Sequence, residues 1–223
     1  SLAMMLLEKP VRKFDPRNSL NDLNGAEWKF STKSVISKIF PINMQHKLRS
    51  QHGGQKPPEL CADLIKTFTK GGQLVLDPLA GVGGTLLGAS LCNREAIGIE
   101  INPEWGKIYK QVCELENLKE HKMIIGDAKE KLVEIPKGSV DFILTDVPYW
   151  NMDKVSQTRS KSAKKSKLSK FNGHKEQTKE QWVEEMTSIF QKCSDPLKPG
   201  GYMGVFVGDM YRGKQYHILS AEL

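Results

Sequence analysis

The sequence predicts an α/β fold with a mostly parallel sheet and helices on both faces. Three observations predict it. From residue 58 onward, short apolar runs alternate with stretches of helical periodicity. Four apolar runs end in an acid: Asp77, Glu100, Asp127 and Asp146. Val75–Ala89, VLDPLAGVGGTLLGA, reads as a strand end, a glycine-rich turn and a helix start. That order puts a ligand at the carboxyl edge of a parallel sheet.

The 223 residues suit one domain with a full core and an added arm. A hydrophobic content of 39% and a charged content of 26% are those of a soluble globular chain. No apolar run approaches the ~20 residues of a membrane helix, and no signal-peptide pattern opens the chain. No membrane partner is expected. Ser1–Ala3, ahead of Met4, are read as a cloning remnant. A formal net charge of +7 points to a polyanionic partner. The cysteines Cys61, Cys92, Cys113 and Cys193 lack C-x-x-C spacing and fall in helical stretches. They are expected to be buried free thiols in a reducing cytoplasm, and no metal site is expected.

Residues 1–50 read as an arm that packs on the main domain, which spans 51–223. Leu6–Asn24 is polar and turn-rich, with a turn signal at Asn24-Gly25. Trp28, Phe30, Val35, Ile36, Ile39 and Phe40 follow at mixed spacing. In His52–Leu60, HGGQKPPEL, Pro57 and Pro58 suit a helix start, where a missing N–H does no harm. Leu60, Leu64, Ile65 and Phe68 give that helix its apolar stripe, and Gly71-Gly72 end it.

The first strand is predicted at Gln73–Asp77. Gly81, Gly83 and Gly84 allow the turn positive φ and close approach of a ligand. The next helix runs to about Cys92. Ala96–Glu100 is the second strand, and Asn102-Pro103 starts a helix with the stripe Trp105, Ile108, Tyr109, Val112 and Leu115. Lys122–Gly126 and Val140–Thr145 are the third and fourth strands. Right-handed crossovers set the four strand-end acids along one sheet edge, a repeated feature that indicates a binding site.

Residues 151–177 form a basic stretch predicted by composition to be a flexible loop. Lys154, Arg159, Lys161, Lys164, Lys165, Lys167 and Lys170 are candidates for tracking phosphates. Thr178 and Gln181 resemble a capping box. Trp182, Met186, Ile189, Phe190 and Cys193 make the stripe of the following helix. Tyr202–Val207 is the fifth strand, and HILSAEL at the C-terminus reads as the start of a further helix. A hairpin that would close the sheet is expected to be lacking. The resulting open edge could be left exposed or dimerise, so a monomer or a homodimer is expected.

Asp146-Val147-Pro148-Tyr149 is the second informative stretch. With the glycine loop it resembles the amino-methyltransferases that act on the exocyclic nitrogen of adenine or cytosine in nucleic acid, whose tetrapeptide is usually D-P-P-Y. DPLAGVGGT is similar to their D-P-F-A-G-S-G-T-T signature, and HGGQKPPEL to their H-x-x-x-K-P segment. GIEIN, GDA and VGDMYRGKQYH extend the likeness from His52 to His217. The resemblance implies a Rossmann-like class I methyltransferase fold and S-adenosylmethionine as cofactor. It implies that Asp77 and the Gly81–Gly84 backbone hold the cofactor's methionine portion, with Lys56 and Pro57 beside it. Pro78, Ala80, Gly83 and Thr85 complete that loop. Glu100, with Ile101 next to it, takes the ribose hydroxyls. Asp127, beside Ala128, binds the adenine amino group.

An exocyclic amine is a poor nucleophile because its lone pair is delocalised into the ring. Acceptors for both its N–H groups favour a pyramidal nitrogen, and the Asp146 carboxylate and the Val147 carbonyl can supply them. Their effect grows as positive charge develops on nitrogen. Tyr149 can stack on a base turned out of a duplex. The sequence departs from the family at Val147, where proline is usual. Valine keeps the carbonyl, and Pro148 holds Val147 extended.

The expected reaction is methyl transfer to a base amino group in double-stranded DNA, with adenine N6 favoured over cytosine N4. Two alternatives are an RNA amino-methyltransferase acting on guanine N2 or adenine N6, and a non-catalytic subunit that binds the cofactor or nucleic acid. A dinucleotide oxidoreductase is disfavoured because the third glycine of G-x-G-x-x-G falls on Leu86.

Overall fold

The computed structural model describes residue 15 and residues 17–31, 33–148 and 177–223. Two short helices precede the main domain, α1 (Gly25–Ser31) and α2 (His46–Arg49). Then follow α3 (Pro58–Phe68), β1 (Leu74–Asp77), α4 (Gly84–Leu91), β2 (Glu95–Glu100), α5 (Pro103–Glu116) and β3 (Lys122–Ile125). After α6 (Ala128–Lys131) and a 3-10 turn come β4 (Val140–Asp146), α7 (Lys179–Lys192) and β5 (Leu197–Phe206). A hairpin, β6 (Met210–Arg212) and β7 (Gln215–His217), and a 3-10 turn at Leu219–Ala221 end the described chain.

The five main strands form one parallel sheet in the order β3-β2-β1-β4-β5. The chain winds outward from β1 to β3, then crosses back to β4 and β5. The winding direction therefore reverses between β1 and β4, and the carboxyl ends of those strands flank the crevice. Side chains alternate across the sheet. Val75, Phe142 and Leu144 face one core with Ile65 of α3, Leu86 and Leu87 of α4 and Tyr109 of α5. Leu76 and Ile143 face the other core, with Trp182, Met186 and Ile189 of α7. The α/β arrangement with helices on both faces is the one expected.

The caps explain why the helices start where they do. Pro58 takes the first helical position of α3. The Asn102 side chain accepts from Glu104 N at 3.0 Å to open α5. Thr178 and Gln181 form a full capping box on α7.

Several expectations are corrected. Asn24 caps α1, its Oδ1 accepting from the amides of Ala26 and Glu27, where a turn was expected. The α3 helix stops at Phe68 with Thr69 extended, three residues before the glycine pair. The buried face of α5 runs through Trp105, Tyr109, Val112 and Cys113, whereas Leu115 is exposed. The strand β5 begins at Leu197, and residues 198–201 bulge between the Val140–Leu197 and Phe142–Tyr202 pairs, so Pro199-Gly200-Gly201 interrupts the strand without ending it. HILSAEL forms a strand end at His217 and a 3-10 turn over Leu219–Ala221 in place of a helix. Among the described residues the β6–β7 hairpin pairs only with itself, in a separate two-stranded sheet.

The arm is tied to the domain at several places, among them Lys38, whose Nζ lies 2.8 Å from Asp63 Oδ2 of α3, and Gln45, which donates to Glu116 of α5. Asn21 is buried and donates to the Thr67 carbonyl at 2.6 Å, and Met44 and Arg49 are buried near α3 and α5. Between them Val35, Ile36, Ile39 and Ile42 are exposed, Ile39 at 94%. Their mixed spacing gives no single face to bury, and these four side chains stay in solvent while their neighbours make the contacts. Cys61, Cys113 and Cys193 are buried free thiols, and Cys92 is half-buried. Burial pushes the Cys61 and Cys193 thiols up to about 12, which leaves them unreactive.

Candidate active site

A cavity of about 380 Å³ opens at the carboxyl ends of the strands, within the size range of small-molecule sites. Asp77, Glu100, Asp127 and Asp146 all line it. So do Lys56, Pro78, Ala80, Gly81, Gly84, Thr85, Ile101, Ala128, Val147 and Pro148. Residues scattered from 56 to 148 thus meet in one wall because parallel strands with right-handed crossovers bring their carboxyl ends together.

Glu100 is buried at the end of β2. Its Oε2 accepts from Gly81 N at 2.7 Å and its Oε1 from Asn102 N at 2.8 Å. A carboxylate offers about four lone-pair sites, so acceptor capacity remains beyond its backbone donors. Burial pushes this carboxyl up to about 7, and the backbone donors of Asn102, Gly81 and Ile101 work against the shift. Asp77 is also buried. Its Oδ1 accepts from Thr145 Oγ1 at 2.7 Å and from Leu79 N at 3.0 Å. It ties β1 to β4 at the switch point, and burial raises it to about 6. Asp127 caps α6 by accepting from Lys129 N at 2.8 Å.

Asp146 ends β4 and is paired with Lys56, whose Nζ lies 2.6 Å from Oδ2. Burial raises the Asp146 pKa, and the Lys56 ammonium opposes that rise. Lys56 also stands over the Phe206 ring, 5.5 Å from its centroid. The buried Arg49 guanidinium donates to the Lys56 carbonyl at 3.3 Å and to the Met44 carbonyl at 2.7 Å. The arm thereby braces the segment that carries Lys56.

Two predicted residues do not reach the cavity. Pro57 is the cap residue before α3. Gly83, at φ 79°, lies against Tyr109, whose Cδ2 would sit 2.2 Å from any Cβ there. It serves the turn and the packing of α5. Gly84 opens α4 in helical conformation, so positive φ is confined to Gly81 and Gly83 within the loop. Tyr149 and the basic residues Lys154, Arg159, Lys161, Lys164, Lys165, Lys167 and Lys170 lie outside the described residues.

The cavity also includes residues that the sequence reading did not assign: His52, Gln55, Gln177, Trp182, Glu185 and Phe206 among them. Burial lowers His52 to about 4, leaving it neutral. Its ring meets Trp105 edge-on at 5.2 Å. Trp182 had a usable signal. A capping box at Thr178 puts it in the first turn of a crossover helix, and that turn lies beside the carboxyl end of the preceding strand.

The residues fit a nucleoside cofactor. A buried carboxylate with free lone pairs stands in the wall where hydroxyls would need acceptors. Gln55 Oε1 is buried in the same wall without a hydrogen-bond partner among the described residues. Among the described residues no group of His, Cys, Asp or Glu could hold a metal ion.

This fold and cavity define a Rossmann-like domain of the class I methyltransferase type, with S-adenosylmethionine as cofactor. The chain belongs to the N6/N4 DNA methylase family, which it matches over residues 9–111 and 140–222.

Among its relatives is the type II methyltransferase M.HindIII of Haemophilus influenzae, 44% identical over 66 residues, which are 30% of this chain and 21% of that protein. The type II methyltransferase M2.DpnII of Streptococcus pneumoniae is 34% identical over 105 residues, 47% of this chain and 36% of that protein. The tRNA (guanine(10)-N2)-dimethyltransferase of Methanocaldococcus jannaschii is 31% identical over 120 residues, 50% of this chain and 34% of that protein. The chain therefore spans about a fifth to a third of these relatives' lengths. The fold is shared with the crystal structure of PH0851, at a TM-score of 0.50 and 17% identity, over 73% of this chain and 36% of that one.

Proposed function

We propose that this chain transfers a methyl group to the exocyclic amino group of a base in double-stranded DNA, with adenine N6 favoured over cytosine N4. The observation that carries the reading is the position of Asp146. Its carboxylate and the following Val147 stand in the wall of the cavity that holds Glu100 and Asp77. When bound, S-adenosylmethionine supplies the electrophilic methyl group. Glu100 accepts from its ribose hydroxyls, and Lys56 neutralises Asp146 until a base arrives. Asp146 and the Val147 carbonyl accept the two amino N–H groups, which frees the nitrogen lone pair and stabilises the charge that develops on it. Tyr149 stacks on the base, and Lys154–Lys170 track its phosphates.

A second reading, methylation of a guanine or adenine amino group in RNA, is favoured by the tRNA dimethyltransferase relatives. Nucleoside mass spectrometry of DNA and RNA from cells making the chain separates the two. N6-methyladenine in DNA is the expected product, and it disappears with Asp146→Ala. N4-methylcytosine would change the base, and a methylated base in RNA alone would sink the DNA reading. Binding of S-adenosylhomocysteine without transfer to either polymer marks a non-catalytic subunit.

A further inference from the structure

We infer that Trp182 is a positioning residue, and that it works with the Val147 amide to lock the direction of the Val147 carbonyl. This rests on the reading of Asp146 and Val147 given above.

Three successive peptide planes matter here. The first carries the Val147 N–H, the second the Val147 carbonyl, and the third the Pro148 carbonyl. The Val147 N–H donates to the Phe206 carbonyl at 3.2 Å. This bond extends the β4–β5 ladder one step beyond the last register pair, Asp146–Phe206. It pins the first plane to the sheet. The indole Nε1–H of Trp182 donates to the Pro148 carbonyl at 2.7 Å. It pins the third plane to α7. The second plane lies between two pinned ones. The rotation that joins it to the third includes φ of Pro148, which the ring holds near −65°. The Val147 carbonyl therefore has little freedom to swing.

The side chains support the same lock. Val147 and Trp182 are both buried, at 2% and 3% exposure, in one core cluster with Met186 and Ile189. Trp182 also lines the cavity, as do Val147, Pro148 and Phe206. A buried indole N–H needs an acceptor, and the Pro148 carbonyl supplies it at the strand end where aim matters. An acceptor displaced by a fraction of an ångström from the amino N–H loses much of its effect, because rate depends steeply on such placement.

The test uses this chain with Trp182→Phe, which keeps an aromatic ring and removes the donor. In methyl transfer, kcat falls on the order of 10-fold to 100-fold, while the affinity for S-adenosylhomocysteine and the KM for S-adenosylmethionine stay within about twofold. A second variant, Val147→Pro, replaces the Phe206 hydrogen bond by a ring that fixes φ at 147. In that background Trp182→Phe costs clearly less kcat than in the unaltered chain, because one plane is then held covalently. An unchanged kcat in Trp182→Phe overturns the inference, and so does an equal fold-loss in both backgrounds. Amide hydrogen exchange gives an answer independent of turnover. Trp182→Phe speeds exchange at the Val147 amide on the order of tenfold or more and leaves Ile143, in mid-strand, unchanged. If the unaltered chain transfers no methyl group, the functional reading fails, and the exchange rates still decide the lock. Equal exchange at Val147 in both chains overturns it.

Discussion

Lys56 Nζ sits 2.6 Å from Asp146 Oδ2, joining residues 90 positions apart in sequence. Both side chains are about three-quarters buried, at 23% and 24% exposure. Burial favours the protonated carboxyl of Asp146, and the ammonium favours the carboxylate. The difference is chemical as well as electrostatic. A carboxylate accepts hydrogen bonds at both oxygens, while a protonated carboxyl carries a donor. Lys56 thus favours the form of Asp146 that can receive an amino N–H.

Lys56→Met removes that counter-charge without removing the stem. The Asp146 pKa then rises, and the acid limb of the pH–rate profile moves upward with it. Methyl transfer at neutral pH falls on the order of tenfold, and part of the loss returns as pH is raised. Lys56→Arg retains most of the activity. A profile whose acid limb stays in place in Lys56→Met would show that the pair does not control Asp146.

Glu100 gives a pH dependence of the opposite sign from an ordinary paired carboxylate. Its folded value, about 7, lies above the ordinary 4.5. Between those values the folded chain holds a proton that the unfolded chain has lost. The stabilisation is present below the unfolded value and is lost as pH rises through about 7. Asp77, at about 6, adds in the same direction. Thermal melts of the ligand-free chain are expected to show stability declining across this window, with a shallower decline in Glu100→Gln. Calorimetric titration with S-adenosylhomocysteine is expected to show binding that strengthens over the same window, since the ionised carboxylate is the better acceptor. Binding that weakens toward pH 7 would remove Glu100 from the cofactor site.

Gly88→Ala is expected to destabilise the domain by about 1–3 kcal/mol, the usual cost of overpacking. A Cβ there would sit 2.7 Å from Cys61 Cβ, 2.8 Å from the Pro58 carbonyl oxygen and 2.9 Å from Ala62 N. Two of these neighbours are backbone atoms of α3, which cannot turn aside as a side chain can. Denaturant unfolding of the variant measures the loss, and an unchanged midpoint would mean that α3 and α4 are free to separate.

The basic stretch is tested through salt. Each phosphate contact on duplex DNA contributes a slope of about 0.9 to the fall of log affinity with log salt. Deleting Lys161–Lys170 removes Lys161, Lys164, Lys165, Lys167 and Lys170. The slope is expected to drop by several such increments, measured by fluorescence anisotropy on a labelled duplex. An unaltered slope would show that these lysines do not meet phosphates.

Much of the site was legible along the chain because its residues are local to strand ends. Asp77, Glu100, Asp127 and Asp146 each follow a short apolar run, and parallel topology does the rest. The alternation of strand and helix determined the α/β class, and DVPY with DPLAGVGGT carried the family. Caps were legible where a side chain meets its own backbone two or three residues away, as at Asn102 and Thr178. The contacts of the arm were less legible, because Val35, Ile36 and Ile39 advertise burial by type, and type cannot say whether a facing surface exists.

Only the tertiary structure decided the long-range pairings. Lys56, expected beside the cofactor's tail, lines the cavity and pairs there with Asp146. Asp77 turns its carboxylate to Thr145, and Gly83 serves Tyr109 rather than the cavity. Trp182 reaches the Pro148 carbonyl across the core. The physical reason is the same in each case. Periodicity and turn chemistry act over a few residues, whereas these contacts depend on how two elements pack. A side chain's direction across that gap is set by the crossing of the elements and by the volume of what lies between them.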